Sequence, residues 1–259
     1  MKNYSKELTI DFKETDRFLN IKMDAFVQML NTVSMYHTVS LGMSPDYMDK
    51  RGLVWVLYQW RVHLENGKYY AKKLNFKTFA IFHKDIYSHR YFLVTDEAGT
   101  VVGYAVSVWI VIDLSKRKMV RIPEDIQETF FDRANPALSS QQEKIVEFLD
   151  TSPQRKKKVK EFTQERTFNL RFSDVDSNGH VNNTVYIAWA LESMTVDNDE
   201  SFLIGNVPDD LSVIYKKEKL PSGKVLVRTL KTGVESYHEI LDEDGSMLSI
   251  VELKWKKRI

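Results

Sequence analysis

A faint internal repeat is the feature that most constrains how this chain can fold. The segment KETDRFLNI at 13–21 aligns with SDVDSNGHV at 173–181, which places Asp16 against Asp176. An apolar run with helical spacing follows in both halves, then several extended stretches, then a hairpin with an acidic, glycine-containing turn. Two copies of a strand, a turn, a helix and antiparallel strands predict an α+β fold in which a sheet wraps each helix.

A charged, turn-rich stretch separates the two copies. It contains Asn135-Pro136 and Ser152-Pro153, and it ends in a basic run at 155–160. The apolar residues around Ile145 predict one short helix within it. We therefore expect two domains, at residues 1–130 and 161–259, that are joined by a linker at 131–160.

Composition excludes several classes of protein. The 259 residues carry a formal net charge of +1, which favours neither a nucleic-acid binder nor a protein with an acidic tail. The chain has no cysteine, and this excludes disulfides, thiolate nucleophiles and cysteine-bound metals. The first residues have no apolar signal region, and no apolar stretch approaches the roughly 18 residues that span a membrane. We expect a soluble, cytoplasmic, bacterial protein.

The most polar turn of the chain is predicted to be an active site. Its ten residues, from Asp174 to Asn183, include two carboxylates, three carboxamides and one imidazole. An apolar run with helical spacing follows, from Tyr186 to Met194. A turn that leads into a helix directs backbone N–H groups and a positive dipole end at its ligand, which suits an oxygen that gains negative charge.

Only the second copy of the repeat keeps this chemistry. In the alignment His180 stands against Asn20 and Asn178 stands against Phe18, whereas the aspartate is retained in both copies. We therefore expect one active site per chain, in the second half. The first half is expected to contribute shape rather than chemistry.

Metal binding and simple helix capping are the alternatives for this turn. An EF-hand loop that began at Asp174 would need a glutamate at its twelfth position, where this chain has Val185. Zinc would need further ligands, and His180 has no second histidine three or four residues away. Capping explains Asp or Asn at one position, but it does not explain a histidine between Asn178 and Asn182. The sequence predicts no metal and no cofactor.

The string DVDSNGHVNNTVYIAWALES at 174–193 resembles the signature of the acyl-acyl carrier protein (acyl-ACP) thioesterases. Segments 52–57, 61–64 and 107–113 are also similar to that family, so that the resemblance to a bacterial relative of the plant enzymes spans almost the whole chain. The resemblance implies a tandem pair of hot-dog domains, each a long helix wrapped by an antiparallel sheet. It also implies hydrolysis of the thioester of fatty acyl-ACP, which releases free fatty acid and ends chain elongation.

The resemblance also implies which residues form the site. Family members use an aspartate, an asparagine and a histidine at alternate positions of this turn, together with a glutamate on a later strand. These carry over to Asp176, Asn178, His180 and Glu218. Many plant members have a cysteine directly after that glutamate, where this chain has Lys219.

Without a cysteine or a Gly-x-Ser-x-Gly motif, water is the simplest nucleophile. Glu218 or Asp176 would activate that water, and covalent attack by Asp176 is left open. His180 would polarise or protonate the reacting group, and Asn178 would hold the water or the carbonyl.

Two further expectations concern the oxyanion and the acyl chain. Backbone N–H groups of Val181 and Asn182 would stabilise the oxyanion. The first long helix, at about 23–41, is apolar on more than one face and would line the acyl tunnel, so that the first half would select chain length.

Acyl carrier protein is the expected partner, and its acidic surface would meet a basic cluster. The candidates are the run at 155–160 and the lysines Lys216, Lys217 and Lys219. A homodimer is left open. The alternatives in function are a hot-dog thioesterase that acts on acyl-CoA, a non-catalytic acyl-binding protein and a hot-dog dehydratase.

Overall fold

The computed structural model describes residues 2–132, 138, 140–148, 159, 161–195 and 199–258. The basic run at 155–160 lies outside these residues except for Val159. None of the helices in the described ranges combines the length and the apolarity that crossing a membrane requires.

One antiparallel sheet runs through both halves of the molecule. The strands of the first half are β1 Tyr4–Thr9, β2 Leu53–Leu64, β3 Lys73–His83, β4 Tyr87–Thr95, β5 Val101–Asp113 and the short β6 Lys118–Val120, which pairs with β5. Those of the second half are β7 Gln164–Asn169, β8 Asn206–Tyr215, β9 Lys224–Thr232, β10 Glu235–Asp242 and β11 Met247–Lys257.

The order of the strands confirms the repeat. Along the sheet they run β1-β3-β4-β5-β2-β8-β11-β10-β9-β7, so that the second half repeats the order of the first in mirror sequence about the β2–β8 pair. The two closing hairpins also match. The N–H of Gly99 donates to the Asp96 carbonyl at 3.0 Å, and the N–H of Gly245 donates to the Asp242 carbonyl at 2.9 Å. Both glycines have a positive φ, +83° and +77°, which a turn of this kind requires.

Each half wraps its sheet around one helix. The helices are α1 Met23–Ser40, α2 Pro45–Asp49, α3 Glu124–Phe130, α4 Ser140–Phe148, α5 Asn183–Glu192 and α6 Ser201–Gly205. The central helices are α1 and α5, and α5 is the shorter of the two. The α+β prediction is confirmed, as is the short helix around Ile145, which lies in α4.

The central helices pack on one shared core. Phe26, Val27 and Leu30 of α1 and Ile187 of α5 have no solvent exposure, and they belong to the same hydrophobic cluster. Their spacing puts an apolar face of each helix against the sheet. The first turn of α5 therefore stands at the boundary between the two halves.

The two halves join through β2 and β8. Five residue pairs form this antiparallel contact, from Gln59 with Ile214 to His63 with Asp210. His63 Nδ1 lies 2.8 Å from Asp210 Oδ1, and its Nε2 lies 3.0 Å from Glu65 Oε1. The hydrogen bond with Asp210 is the main reason that the pKa of His63 is raised above its ordinary value. The junction thus carries side-chain hydrogen bonds, which become an ion pair when His63 is protonated, in addition to its backbone hydrogen bonds.

Candidate active site

The predicted site is a closed loop that precedes α5. A short 3₁₀ turn at Phe172–Asp174 leads into it, and Val175 forms an isolated β-bridge with Val181. The N–H of Asp176 donates to the His180 carbonyl at 2.9 Å, and the N–H of Gly179 donates to the Asp176 carbonyl at 3.0 Å. These bonds hold the predicted residues of the turn in a fixed loop.

Asp176, Asn178 and His180 all lie on this loop. Asp176 Oδ1 accepts the Asn178 N–H at 2.9 Å, so the carboxylate helps to hold the loop. The Asn178 residue is exposed at the tip, and the His180 side chain is 34% exposed. The imidazole and the carboxamide are therefore accessible from solvent, as groups that meet a substrate must be.

The structure brings Glu218, from the segment between β8 and β9, to the same loop. Its Oε2 lies 3.5 Å from His180 Nε2, and its side chain is 60% exposed. The prediction that Glu218 lies on a strand is wrong, because β8 ends at Tyr215 and β9 begins at Lys224. Contacts between catalytic groups are often long before substrate binds, so this distance suits an acid–base pair.

The prediction of backbone oxyanion donors at Val181 and Asn182 is wrong. The Val181 N–H donates to the Lys219 carbonyl at 3.0 Å, and the Asn182 N–H donates to the Asp174 carbonyl at 2.8 Å. Both groups are used to hold the loop in place. Asn182 is instead the N-cap of α5, since its Oδ1 accepts the Thr184 N–H at 3.0 Å. Capping thus explains this one residue of the motif.

Lys219 is a buried residue of the site, although its sequence suggested exposed surface. It is 4% exposed, and its Nζ lies 2.5 Å from Asp242 Oδ1. Its N–H donates to the Tyr186 hydroxyl at 3.2 Å. The expectation that Lys219 belongs to a docking cluster for the carrier is therefore wrong. Sequence offered no signal for this burial, because Lys216, Lys217 and Lys219 read together as a solvated run.

Tyr186 lies beneath the surface next to these residues and contacts Lys219. It is buried on α5, and burial raises the pKa of its hydroxyl to about 12, with Glu218 and Asp176 among the charges that add to the shift. The hydroxyl therefore stays neutral near pH 7 and can accept the Lys219 N–H. A partly buried tyrosine, Tyr215, packs edge-on against it at 5.6 Å between ring centroids.

The first half contains a loop of the same shape. The N–H of Asp16 donates to the Asn20 carbonyl at 2.8 Å, and the N–H of Leu19 donates to the Asp16 carbonyl at 2.9 Å. Here Arg258 covers the loop, with its Nη1 2.7 Å from Asp16 Oδ2 and its guanidinium carbon 4.2 Å from the Phe18 ring centroid. The Arg258 side chain thus takes the space above the first loop.

Among the described residues, one group of three side chains could in principle hold a metal ion. His63, Asp209 and Asp210 place their ligand atoms within 4.8 Å of one another at the β2–β8 junction. Lys256 Nζ already lies 3.0 Å from Asp209 Oδ2, and Asp210 is paired with His63. The arrangement is a network of ion pairs that joins the two halves.

Both halves match family models. Residues 1–130 match the N-terminal domain of the acyl-ACP thioesterases, and residues 156–257 match the C-terminal domain. The palmitoyl-acyl carrier protein thioesterase of Gossypium hirsutum is 25% identical over 226 residues, which are 83% of this chain and 52% of that protein. Oleoyl-acyl carrier protein thioesterase 1 of Arabidopsis thaliana is 24% identical over 206 residues, 74% of this chain and 55% of that protein. The chain thus spans about half the length of these curated relatives.

Solved structures share the fold over the whole chain. The 12:0-ACP thioesterase from Umbellularia californica superposes with a TM-score of 0.82 at 19% identity, covering 98% of this chain and 97% of that one. An acyl-ACP thioesterase from Bacteroides thetaiotaomicron gives 0.81 at 19% identity and covers 98% of both chains. The tandem hot-dog prediction is confirmed. With both of its halves matched in order, the chain belongs to the acyl-ACP thioesterase family.

Proposed function

We propose that this protein hydrolyses the thioester of fatty acyl-ACP, which releases free fatty acid and ends chain elongation in fatty acid biosynthesis. The observation that carries the proposal is the contact of His180 with Glu218 on the open loop of the second half. Asp176 and Asn178 lie on the same loop. We also propose that the protein acts in the bacterial cytoplasm and needs no cofactor.

Glu218 is the proposed base that activates water. Its carboxylate is largely exposed, so that it is accessible to water, and it lies beside the imidazole. Asp176 is engaged with the Asn178 N–H, and Asp16 holds the equivalent loop of the first half in the same way, through the N–H groups of Phe18 and Asn20. Because the same contact occurs where no imidazole is present, we assign Asp176 to positioning the loop.

The remaining roles follow from charge and position. Glu218 takes a proton from water as the hydroxyl oxygen attacks the thioester carbon. His180 donates a proton to the departing sulfur, which leaves as a thiol. The Asn178 carboxamide at the loop tip can donate to the carbonyl oxygen as it becomes an oxyanion, and one such donor is worth about 3 to 4 kcal/mol in other enzymes.

We propose that the first half selects the acyl chain. Its central helix α1 contacts α5 directly, since Asn31 Nδ2 donates to Asn183 Oδ1 at 3.1 Å. An acyl chain whose thioester lies beside α5 would therefore extend along α1. The proposed domain bounds are 1–130 and 161–259 with the linker at 131–160. A homodimer stays a prediction that sedimentation would test.

A direct assay tests the function. Purified protein is mixed with acyl-ACP of several chain lengths, and the released thiol and free fatty acid are measured for the wild type and for His180→Ala. Hydrolysis by the wild type with acyl-ACP preferred over the matching acyl-CoA supports the proposal. Preference for acyl-CoA would indicate a coenzyme A thioesterase. Fatty acid binding without turnover would indicate an acyl-binding protein.

A further inference from the structure

Glu218 stands in a segment that does not fix its own position. Residues 216–223 lie between β8 and β9 and form neither helix nor strand. The Glu218 side chain is exposed and meets only the imidazole of His180 among the contacts that the described residues show. Catalysis by a base requires a position accurate to a fraction of an ångström, because a displacement of about 1 Å can lower a rate about 100-fold. Its neighbours must therefore hold it. On the side that precedes Glu218, the N–H groups of Lys216 and Lys217 donate to the Leu248 carbonyl at 2.8 and 3.2 Å.

Lys219, the next residue, is attached to three separate elements. Its carbonyl accepts the Val181 N–H from the catalytic loop at 3.0 Å. Its N–H donates to the Tyr186 hydroxyl on α5 at 3.2 Å, and its ammonium group pairs with Asp242 at the end of β10. Three bonds in three directions define the position of residue 219, and one peptide unit connects it to Glu218.

The ammonium group is the strongest of these attachments. Lysine is almost never buried unless it is paired, and the Lys219 side chain is 5% exposed. Burial acts to raise the pKa of Asp242, but the hydrogen bonds from Lys219 and from the Glu243 N–H, together with the charge of Lys219, outweigh it, and the net pKa of that carboxyl is below its ordinary value. The ammonium group is thus shielded from water, and its carboxylate partner is only 18% exposed. Removing Asp242 would leave the Lys219 ammonium group buried and unpaired, which is costly, whereas Asp242 is only partly buried and also has Lys217 Nζ at 4.0 Å.

The first half shows what the same hairpin does without this attachment. Asp96 begins the equivalent turn, and its Oδ1 accepts the N–H groups of Ala98 and Thr100, both within the turn. In the second half, Asp242 Oδ1 accepts from Glu243 within its turn and in addition from Lys219. The added contact occurs in the half that carries His180.

We propose that the ion pair of the buried Lys219 with Asp242 is a positioning device that holds Glu218 against His180. Lys219 touches neither the substrate nor the reacting atoms, and it acts through the residue that precedes it. The device connects the β10–β11 hairpin to the catalytic loop. The inference rests on the proposed function for its kinetic test, but not for its spectroscopic test.

A double-mutant cycle between Lys219 and Glu218 tests the proposal. Lys219→Met in the wild-type background is expected to lower kcat about 10-fold to 100-fold, with a much smaller change in KM. In the Glu218→Gln background the same substitution is expected to change kcat by less than about 2-fold, because nothing remains to be positioned. Asp242→Asn is expected to match Lys219→Met. Lys219→Arg, which keeps the charge, is expected to recover part of the rate.

Controls separate positioning from loss of folding. Lys73→Met removes the lysine of an exposed pair, Lys73–Glu7 at 3.1 Å, and it should leave kcat unchanged. Melting temperatures show whether each variant is folded at the assay temperature. If Lys219→Met lowers kcat equally in both backgrounds, its role is structural and the proposal is overturned.

A spectroscopic measurement remains informative if the substrate is misassigned. Glu218→Gln is expected to change the imidazole ¹⁵N chemical shifts of His180 in otherwise wild-type protein, and to change them far less in Lys219→Met protein. An equal change in both would overturn the positioning role. An inactive wild type with the expected shift pattern would overturn the proposed function alone.

Discussion

The two loops that precede the central helices have the same backbone hydrogen bonds, but different side chains surround them. Each is closed by the same pair of hydrogen bonds, which involve Asp16 in the first half and Asp176 in the second. The first is filled by Arg258, whereas the second has a partly exposed imidazole beside an exposed carboxylate. The shape of the loop is therefore a property of the fold and occurs with or without the catalytic groups. The proposed chemistry comes from His180 and Glu218, and from the lack of an arginine above them among the described contacts.

The comparison also separates two roles for aspartate. In both loops the aspartate accepts a backbone N–H two residues ahead, from Phe18 or from Asn178. A contact that is present in both copies is explained by folding alone. A contact that is present in only one copy, such as that of His180 with Glu218, is the better indicator of function.

The largest expected effect is that of removing the imidazole. His180→Ala should lower kcat by about two to four orders of magnitude, the range for losing a general acid or base. Asn20→Ala, at the equivalent position of the first loop, should lower stability and leave kcat of the folded protein nearly unchanged. Thiol release from acyl-ACP measures both. A large loss of kcat in Asn20→Ala would contradict the assignment of chemistry to the second loop alone.

The next effect distinguishes the two carboxylates. Glu218→Gln should lower kcat by about two to three orders of magnitude, because the amide cannot take a proton from water. Asp176→Asn should lower kcat about 10-fold, since an amide oxygen can still accept the Asn178 N–H. Single-turnover rates at saturating enzyme measure the chemical step. The reverse ranking would make Asp176 the base or the nucleophile.

The contacts that Arg258 makes with the first loop should contribute to the stability of the protein. Arg258 donates to Asp16 and to the Leu203 and Asn206 carbonyls, at distances from 2.7 to 3.1 Å. Arg258→Ala removes these charge-assisted bonds and leaves Asp16 without its cation, which should cost about 3 kcal/mol of unfolding free energy. Urea denaturation measures the change. The value of kcat below the unfolding transition should equal that of the wild type, and a matching loss of kcat would show that the loops are coupled.

The smallest effect concerns pH and the junction between the halves. The hydrogen bond with Asp210 raises the pKa of His63, burial opposes the rise, and Glu65 adds to it. The free energy that protonated His63 contributes to folding is therefore fully present below 6.5, the pKa of histidine in the unfolded chain. It is lost as the pH rises through the higher folded pKa. The unfolding free energy should therefore fall on the alkaline side of 6.5, and the fall should be absent in His63→Asn. Chemical denaturation at several pH values measures this. The same slope in both proteins would assign it to another group.

Local patterns predicted much of the fold. The alignment of Asp16 with Asp176, the glycine turns and the apolar spacing of α1 and α5 are short-range features, and each was found in the structure. The catalytic loop was predicted for the same reason, since its residues are consecutive. The contact of His180 with Glu218 could be expected only from the family resemblance, because the two residues are far apart in sequence.

The parts that sequence did not predict all depend on distant partners. Lys219 looked exposed because its partner Asp242, at the end of β10, is distant in sequence. The N–H groups of Val181 and Asn182 looked free because the carbonyls that accept them, those of Lys219 and Asp174, become neighbours only after folding. Arg258 is separated from Asp16 by almost the whole chain. Propensity and spacing carry no information about such pairs.

The continuous sheet has a consequence for solubility of the folded chain. Because β2 pairs with β8, the outer strands along the path of the sheet are β1 and β7. An unpaired strand edge can recruit a strand from another molecule and start aggregation. Both outer strands are only six residues long, and charged side chains such as Lys6 and Glu165 interrupt them. Joining the halves therefore replaces two further edges with an internal contact and leaves the two that remain short and charged.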